Sequence, residues 1–255
     1  MFIGSRECPL QNSTEWFPTK YVQVKGRLRA NRDARHLGVG SFLIADLVAE
    51  CYDQAIPQHC SGALLDLGCG HVPLFAAYRP RVSAITCADW GNSLHKNRFL
   101  DAEVDLTAPL PFPDGAFNTI LLADVLEHLP EPAELWREMQ RVLRPGGKLI
   151  LNVPFYYPIH EAPWDYYRYS RFALARFAEI SGFQVVSLAP IGGLPEVFAD
   201  LGAKLLARVP GAGRWAALGL QYACLGCLRL PLGRRASRAT WERFPLGYFG
   251  VFQKS

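Results

Sequence analysis

The strongest constraint on this chain is an alternation that begins at Ala63, in which short, uniformly apolar runs are separated by segments long enough for a helix. The runs are ALLDLG, AITCAD, NTILLAD, KLILNVP, QVVSLAP and GYFGVFQK. A strand that is apolar on both faces must be covered on both faces, and parallel strands joined by crossover helices achieve this. The clearest crossover spans Pro130 to Gly147. There Leu135, Met139, Val142 and Leu143 form a helical stripe, Pro132 suits the first turn, and Arg144-Pro145-Gly146-Gly147 ends it. The pattern predicts an α/β fold with a doubly wound, mostly parallel sheet.

The rest of the chain reads as additions to that sheet. Residues 1–36 show no sustained period and many polar or basic groups, so an extended arm or lid is expected there. Ser41 then precedes a helical stripe of Leu43, Leu47 and Cys51. Between QVVSLAP and the final run lies an insertion with stripes such as Val197, Phe198, Leu201 and Leu205. The expected organisation is an arm and lid helix at 1–60, a core at 61–190, a helical insertion or cap at 191–240 and the last strand at 241–255. One domain with additions suits 255 residues of which 50% are apolar.

The net charge of +4 is unevenly placed. Residues 201–241 carry seven Lys/Arg and no acid, and Lys20 to His36 opposes six Lys/Arg with Asp33 alone. Such segments form solvated faces or attract anionic lipid, nucleic acid or an acidic ligand. Seven cysteines, an odd number, exclude a secreted disulfide framework; Cys224 and Cys227 stand in an apolar run without a second ligand pair, so no zinc site is expected. Met1 to Leu10 lacks the basic-then-apolar order of a secretory leader, which leaves a cytoplasmic location as the expectation. The apolar stretch Trp215 to Leu228, 14 residues, is shorter than the roughly 20 that cross a bilayer. It suits a core helix or one lying on a membrane surface.

The chemistry begins at Asp66-Leu67-Gly68-Cys69-Gly70, a strand-to-turn signature whose glycines let backbone approach a ligand closely. Asp89 ends the next strand 23 residues on, where a carboxylate can accept from ribose hydroxyls. A nicotinamide dinucleotide fold shares these features, but its G-x-G-x-x-G fingerprint needs glycine where Pro73 stands. From Ser61 to Pro190 the order of motifs resembles the class I S-adenosylmethionine-dependent methyltransferases, of the type 11-like small-molecule group. LLDLGCG is similar to their first motif, AEVDLTAPLPFPDGAFNTI to the segment that sets an Asp beside adenine, and LLADVLEHL and RVLRPGGKLILNVP to the strands and helix that follow.

The resemblance implies a Rossmann-like, seven-stranded sheet with an antiparallel last strand, and S-adenosyl-L-methionine as cofactor. It places the ribose on Asp89, the adenine amino group on Asp105 and the adenine ring between Trp90 and Leu106. The amino-acid half lies over Asp66, Gly68, Cys69 and Gly70, with Ala123 and Asp124 on its other side. The chain departs from the family at Val72, where many members have a third glycine.

Methyl transfer needs an aligned nucleophile and, for a hydroxyl, a proton acceptor. His128 follows the fourth core strand, and a loop rich in aromatic and charged groups follows the fifth, leaving the sheet edge where open α/β folds bind ligands. Candidate catalytic groups are His128, His160, Glu161 and Tyr167; candidate acceptor contacts are Tyr156, Tyr157, Asp165, Tyr166 and Arg168. For Asp165 and Arg168 the competing reading is an internal pair that braces a lid. Loops similar to HEAPWDYYRY occur in methyltransferases of glycan and natural-product pathways. The acids and histidines show no metal-ligand spacing, so no metal is expected.

The expected function is methyl transfer to an oxygen or nitrogen of a polar small molecule, natural-product, sugar-like or lipid-linked. The alternatives are another use of the same cofactor, such as cyclisation, and a membrane-surface or nucleic-acid binder acting through 201–241. Nucleic acid is disfavoured, because the N/D-P-P-Y motif of many base methyltransferases is missing after NTILLAD. Nothing in the pattern specifies an oligomeric state.

Overall fold

The computed structural model describes residues 13–91 and 99–255, so the first twelve residues of the expected arm lie outside the described part. The described arm is not simply extended. Strands β1 (Tyr21–Val24) and β2 (Arg27–Ala30) pair antiparallel across Lys25 and Gly26, both at positive φ, a tight hairpin turn that glycine at the second position favours. Tyr21, Leu28 and Ala30 bury one face of the hairpin against helix α1 (Phe42–His59). Asp46 and Asp53 of α1 accept from the Ala30 and Leu28 amides at 3.0 and 2.9 Å. These carboxylates satisfy an edge strand that has no further sheet partner.

The core follows in the order β3 (Ala63–Leu67), α2 (Phe75–Tyr78), β4 (Ala84–Asp89), β5 (Ala102–Glu103), β6 (Phe117–Ala123), α3 (Pro132–Val142), β7 (Leu143–Pro154), α4 (Arg171–Ile180) and β8 (Phe183–Ile191). Helices α5 (Leu194–Leu206), α6 (Gly213–Arg229) and α7 (Pro231–Thr240) form the insertion, and β9 (Gly247–Lys254) closes the chain. The seven-stranded sheet runs β5-β4-β3-β6-β7-β9-β8, with β9 antiparallel to both neighbours and the remaining pairs parallel. This is the sheet the alternating pattern and the motif order predict. Residues Arg144 to Gly147, expected to end a helix, instead lie in the first part of β7; the irregular pairing between Phe117 and Thr119 takes up the extra length.

Successive residues feed opposite cores, as a two-faced strand requires. Leu64 and Ile150 pack on the α1 side with Tyr52, Tyr78 and Phe249, while Leu65, Leu149 and Leu151 pack on the α3 side around Trp136. Each fully buried Leu contributes about 1.5–3 kcal/mol, so the sheet supplies a rigid platform. The insertion is fastened to the start of α1 by Gln221, whose side chain donates to Val39 O at 2.8 Å and accepts from the Leu43 amide at 2.9 Å. Arm, α1 and insertion therefore meet above the carboxyl ends of β6 and β7. Among the described residues no helix is long and apolar enough to cross a membrane.

Candidate active site

The turn after β3 takes its shape from two glycines and Asp89. Gly68 and Gly70 sit at φ +70° and +48°, and a Cβ at Gly68 would collide with the Val125 side chain. Asp89 accepts from the Gly70 amide at 2.8 Å and the Trp90 amide at 2.7 Å, which ties the β3 and β4 turns together. A carboxylate at the end of β4 is the kind of group that accepts from ribose hydroxyls. Among the described residues no atom lies within 4 Å of where a Gly70 side chain would begin, so the turn leaves room for a ligand against its backbone. Val72, standing where the family often has glycine, is buried and held at φ +51°, so the loop keeps the left-handed geometry without the residue that adopts it freely.

The side chains of Asp66 and Cys69 are buried beneath this turn. Asp66 is buried and accepts from the Tyr78 hydroxyl at 3.0 Å. Burial pushes its carboxyl up to about 7; the Tyr78 hydrogen bond opposes the rise and the Asp89 charge adds to it. Cys69 is buried in the same cluster as Leu64 and Tyr78, and its amide donates to Ala88 O at 3.2 Å.

Beyond β4 and β5 a cleft is lined by Trp90, Gly91, Glu103, Val104 and Asp105. Asp105 is held below the usual carboxylate range by the Thr107 hydroxyl and amide, which both donate to its Oδ1. Leu106, expected against adenine, is buried in the core with Leu110 and Phe117 and does not line the cleft, whereas Val104, of the same core, does. Trp90 meets Trp164 edge-on at 5.6 Å, which links this end to the loop after β7.

A second cavity of about 310 Å³ opens at the carboxyl ends of β6 and β7. Its walls include Lys20 from the arm, Ser41 and Ile44 at the start of α1, Asp124 and Asn152 from the sheet, and Tyr157, His160 and Glu161. Asp124, just past Ala123, sits at φ +54°; its two oxygens are held by Asn152 Nδ2 and, at 2.7 Å, by Lys20 Nζ. Burial works against the Lys20 ammonium, but the charge of Asp124 outweighs it and holds the proton tightly. Lys20 and Asn152 were not singled out from sequence. A lysine 104 residues from its partner leaves no local signal.

The loop after β7 is braced from within. Asp165 takes a bidentate pair from Arg168, with Nη2 at 2.8 Å, and also accepts from the His160 amide at 2.8 Å. Arg168 further donates to Tyr157 O, Pro158 O and Tyr167 O. The arginine side chain holds Asp165 well below the usual carboxylate range. Both residues are thus internal struts in place of the expected acceptor contacts, since every strong donor of the guanidinium is used inside the loop.

Tyr167 does not line the cavity. Its hydroxyl donates to Pro130 O at 2.9 Å, and its amide, with that of Tyr166, packs onto Glu127 O. Tyr156 stacks on Phe244 outside the cavity, and Tyr166 is exposed beside Tyr167. Tyr157 does line the cavity, edge-on to His160 at 5.1 Å with Lys204 Nζ 4.5 Å above its ring. His128 and His160 come together with ring centroids 4.8 Å apart, and Glu127 lies beneath both. Burial, reinforced by His128, pushes the His160 imidazole below its ordinary value, so it is neutral near pH 7.

A doubly wound sheet with an antiparallel strand between β7 and β8, and a glycine turn tied to an acid ending the next strand, define the class I S-adenosylmethionine-binding fold. The Gly70 backbone, the Asp89 carboxylate that ties its turn and the Trp90–Asp105 cleft lie along the ends of β3, β4 and β5 and fit that cofactor. Residues 65–151 match the model of the methyltransferase domain family. A 27-O-demethylrifamycin SV methyltransferase of Amycolatopsis mediterranei is 30% identical over 109 residues, covering 38% of this chain and 40% of its own. A probable S-adenosylmethionine-dependent methyltransferase of Mycolicibacterium smegmatis is 27% identical over 216 residues, covering 80% and 74%. The crystal structure of the [4+2]-cyclase SpnF superposes with a TM-score of 0.52 at 18% identity, covering 97% of this chain and 88% of that one, a likeness of fold. Residues 65–151 thus carry a methyltransferase domain of the class I S-adenosylmethionine-dependent kind, with S-adenosyl-L-methionine as its cofactor, and the alignment takes in 40% of the Amycolatopsis relative's own length.

Proposed function

We propose that the protein transfers a methyl group to an oxygen or nitrogen of a polar small molecule bound in the cavity beside Asp124. The observation that carries this is the composition of that cavity, where Lys20, Tyr157, His160 and Glu161 face the sheet edge that bears Asp124 and Asn152. When bound, the cofactor supplies an electrophilic methyl group on a sulfonium. Asp89 and the Gly68–Gly70 turn anchor and orient it; Tyr157 and the apolar Ile44 wall exclude water; Glu161 and His160 are the cavity's acceptors for an acceptor proton. Natural-product, sugar-like and lipid-linked compounds carry suitable hydroxyls, and the Amycolatopsis relative is named for methylation at an oxygen.

Calorimetry with S-adenosyl-L-methionine tests the site: Asp89→Ala is expected to weaken binding at least tenfold, and unchanged affinity removes Asp89 from it. Mass spectrometry of small-molecule fractions incubated with methyl-labelled cofactor then tests the reaction. A product that gains one labelled methyl group excludes cyclisation.

A second reading concerns location. Trp215 and Leu232 are 70% and 78% exposed on α6 and α7, the helices that carry the acid-free run of arginines, a combination suited to an anionic membrane surface.

A further inference from the structure

Glu127 lies in the turn after β6 at 0% exposure, and neither of its carboxylate oxygens accepts a hydrogen bond from another described residue. A buried carboxylate is resolved by an ion pair, by a proton or by a metal ion. The nearby cations are committed elsewhere, Lys20 to Asp124 at 2.7 Å and Arg168 to Asp165 at 2.8 Å. Burial favours a proton on this carboxyl, but neither imidazole is placed to accept it. Glu127 Oε1 is 3.8 Å from His128 Nε2 and 3.8 Å from His160 Nε2, beyond hydrogen-bond reach of both.

The imidazoles are oriented as ligands. His128 Nδ1 is 2.7 Å from Trp164 O, so the proton sits there and the Nε2 lone pair faces Glu127. His160 Nδ1 is 3.3 Å from Asp165 Oδ2 but makes no hydrogen bond to it, and its Nε2 is the nitrogen nearer Glu127 Oε1. A partner on the far nitrogen, as His128 has, is what metal-binding histidines have. One ligand atom from each of Glu127, His128 and His160 lies within 4.8 Å of the others. Glu161 Oε2 is 3.9 Å from His128 Nε2 on the open side, and with His160 it lines the cavity, giving a path for a cation.

We propose that Glu127, His128 and His160 form a binding site for a divalent first-row transition-metal cation, open toward the acceptor cavity beside Glu161. Tetrahedral bonds of about 2.0–2.2 Å set ligand atoms roughly 3.3–3.6 Å apart, so from separations of up to 4.8 Å the cluster closes on a cation through shifts of roughly 0.6–0.8 Å in each of the two most distant side chains. Two imidazoles and a carboxylate select zinc, cobalt, iron or manganese over magnesium or calcium, which prefer oxygen alone. The consequence for catalysis rests on the methyl-transfer reading: the open position takes a hydroxyl oxygen of the acceptor and lowers its pKa, which favours hydroxyl-bearing acceptors over amines. Glu161 is then the carboxylate placed to receive the hydroxyl proton.

The test uses the whole chain, stripped with a chelator and titrated with Co²⁺, followed by calorimetry and by the visible absorption of the bound ion. One equivalent is expected to bind, with affinity falling at least tenfold in Glu127→Gln, which is isosteric and relieves a buried charge, and in His160→Ala. His59→Ala, a histidine on α1 outside the site, controls for surface binding and is expected to leave the titration unchanged. No binding to the parent protein, or binding undiminished in both site variants, overturns the proposal; the former leaves Glu127 as a neutral buried acid. Cofactor affinity is measured on the same samples. Cobalt bound at the site without cofactor binding supports the cation site while removing the methyl-transfer reading.

Discussion

Asp66 offers a sharp energetic test of how the core carries the cofactor turn. Its carboxyl is buried and pushed up to about 7, against about 3.9 for an aspartate in an unfolded chain. Between these values the folded protein keeps a proton that the unfolded chain has released. Stability therefore falls as pH rises from about 4 and levels off above about 7, by roughly 1.4 kcal/mol for each unit between. The full penalty at pH 8 is on the order of 4 kcal/mol. Asp66→Asn keeps an oxygen for the Tyr78 hydroxyl but cannot ionise. Its added N–H donors cost about 1–3 kcal/mol, at all pH values alike.

The difference between variant and parent is thus expected to swing by about 2–3 kcal/mol toward the variant between pH 5 and pH 8. For a chain of this size that is roughly 4–10 °C in the Tm difference. Circular dichroism melts of both proteins at the two pH values measure it, and comparing differences cancels the histidines and surface acids common to both. A Tm difference that stays constant across the interval refutes the reasoning.

Gly68→Ala is expected to cost about 1–3 kcal/mol and to abolish cofactor binding, because it combines φ +70° with a collision at Val125; thermal melts and calorimetry check the two effects separately. Tyr167→Phe removes the Pro130 hydrogen bond and no group of the cavity, so stability should fall by about 0.5–1.5 kcal/mol while methyl transfer is retained; loss of turnover in a folded variant returns Tyr167 to the chemistry. Sedimentation with anionic vesicles at low salt is expected to carry the protein down, with Trp215→Ser reducing the bound fraction, and a protein that stays in solution removes the membrane-surface reading.

Much of this molecule is written locally. A strand buried on both faces has to be apolar throughout, so β3, β4, β6 and β7 are legible as runs, and the glycines at 68 and 70 and the acids at 66 and 89 mark where the chain turns at the sheet edge. The hairpin β1–β2 is less legible, because four-residue strands carry too few apolar positions to show a period and Lys25-Gly26 is a weaker turn signal than Asn-Gly. Leu106 shows the limit of motif order, which locates a residue along the chain without deciding whether its side chain lines the cleft.

In the loop after β7, sequence determined the kinds of group available and the tertiary structure decided their use. Asp165 and Arg168 became struts and Tyr167 a tether to Pro130, because a loop over a polar edge must satisfy its own backbone carbonyls before it offers donors to a ligand. Glu127 and His128 meet His160 from another loop, and Lys20 meets Asp124 from the arm, only because the sheet brings the carboxyl ends of β6 and β7 together. Side-chain periodicity fixes burial over neighbouring residues. Partnerships across tens of residues are decided by packing, and in this chain those partnerships shape the acceptor cavity.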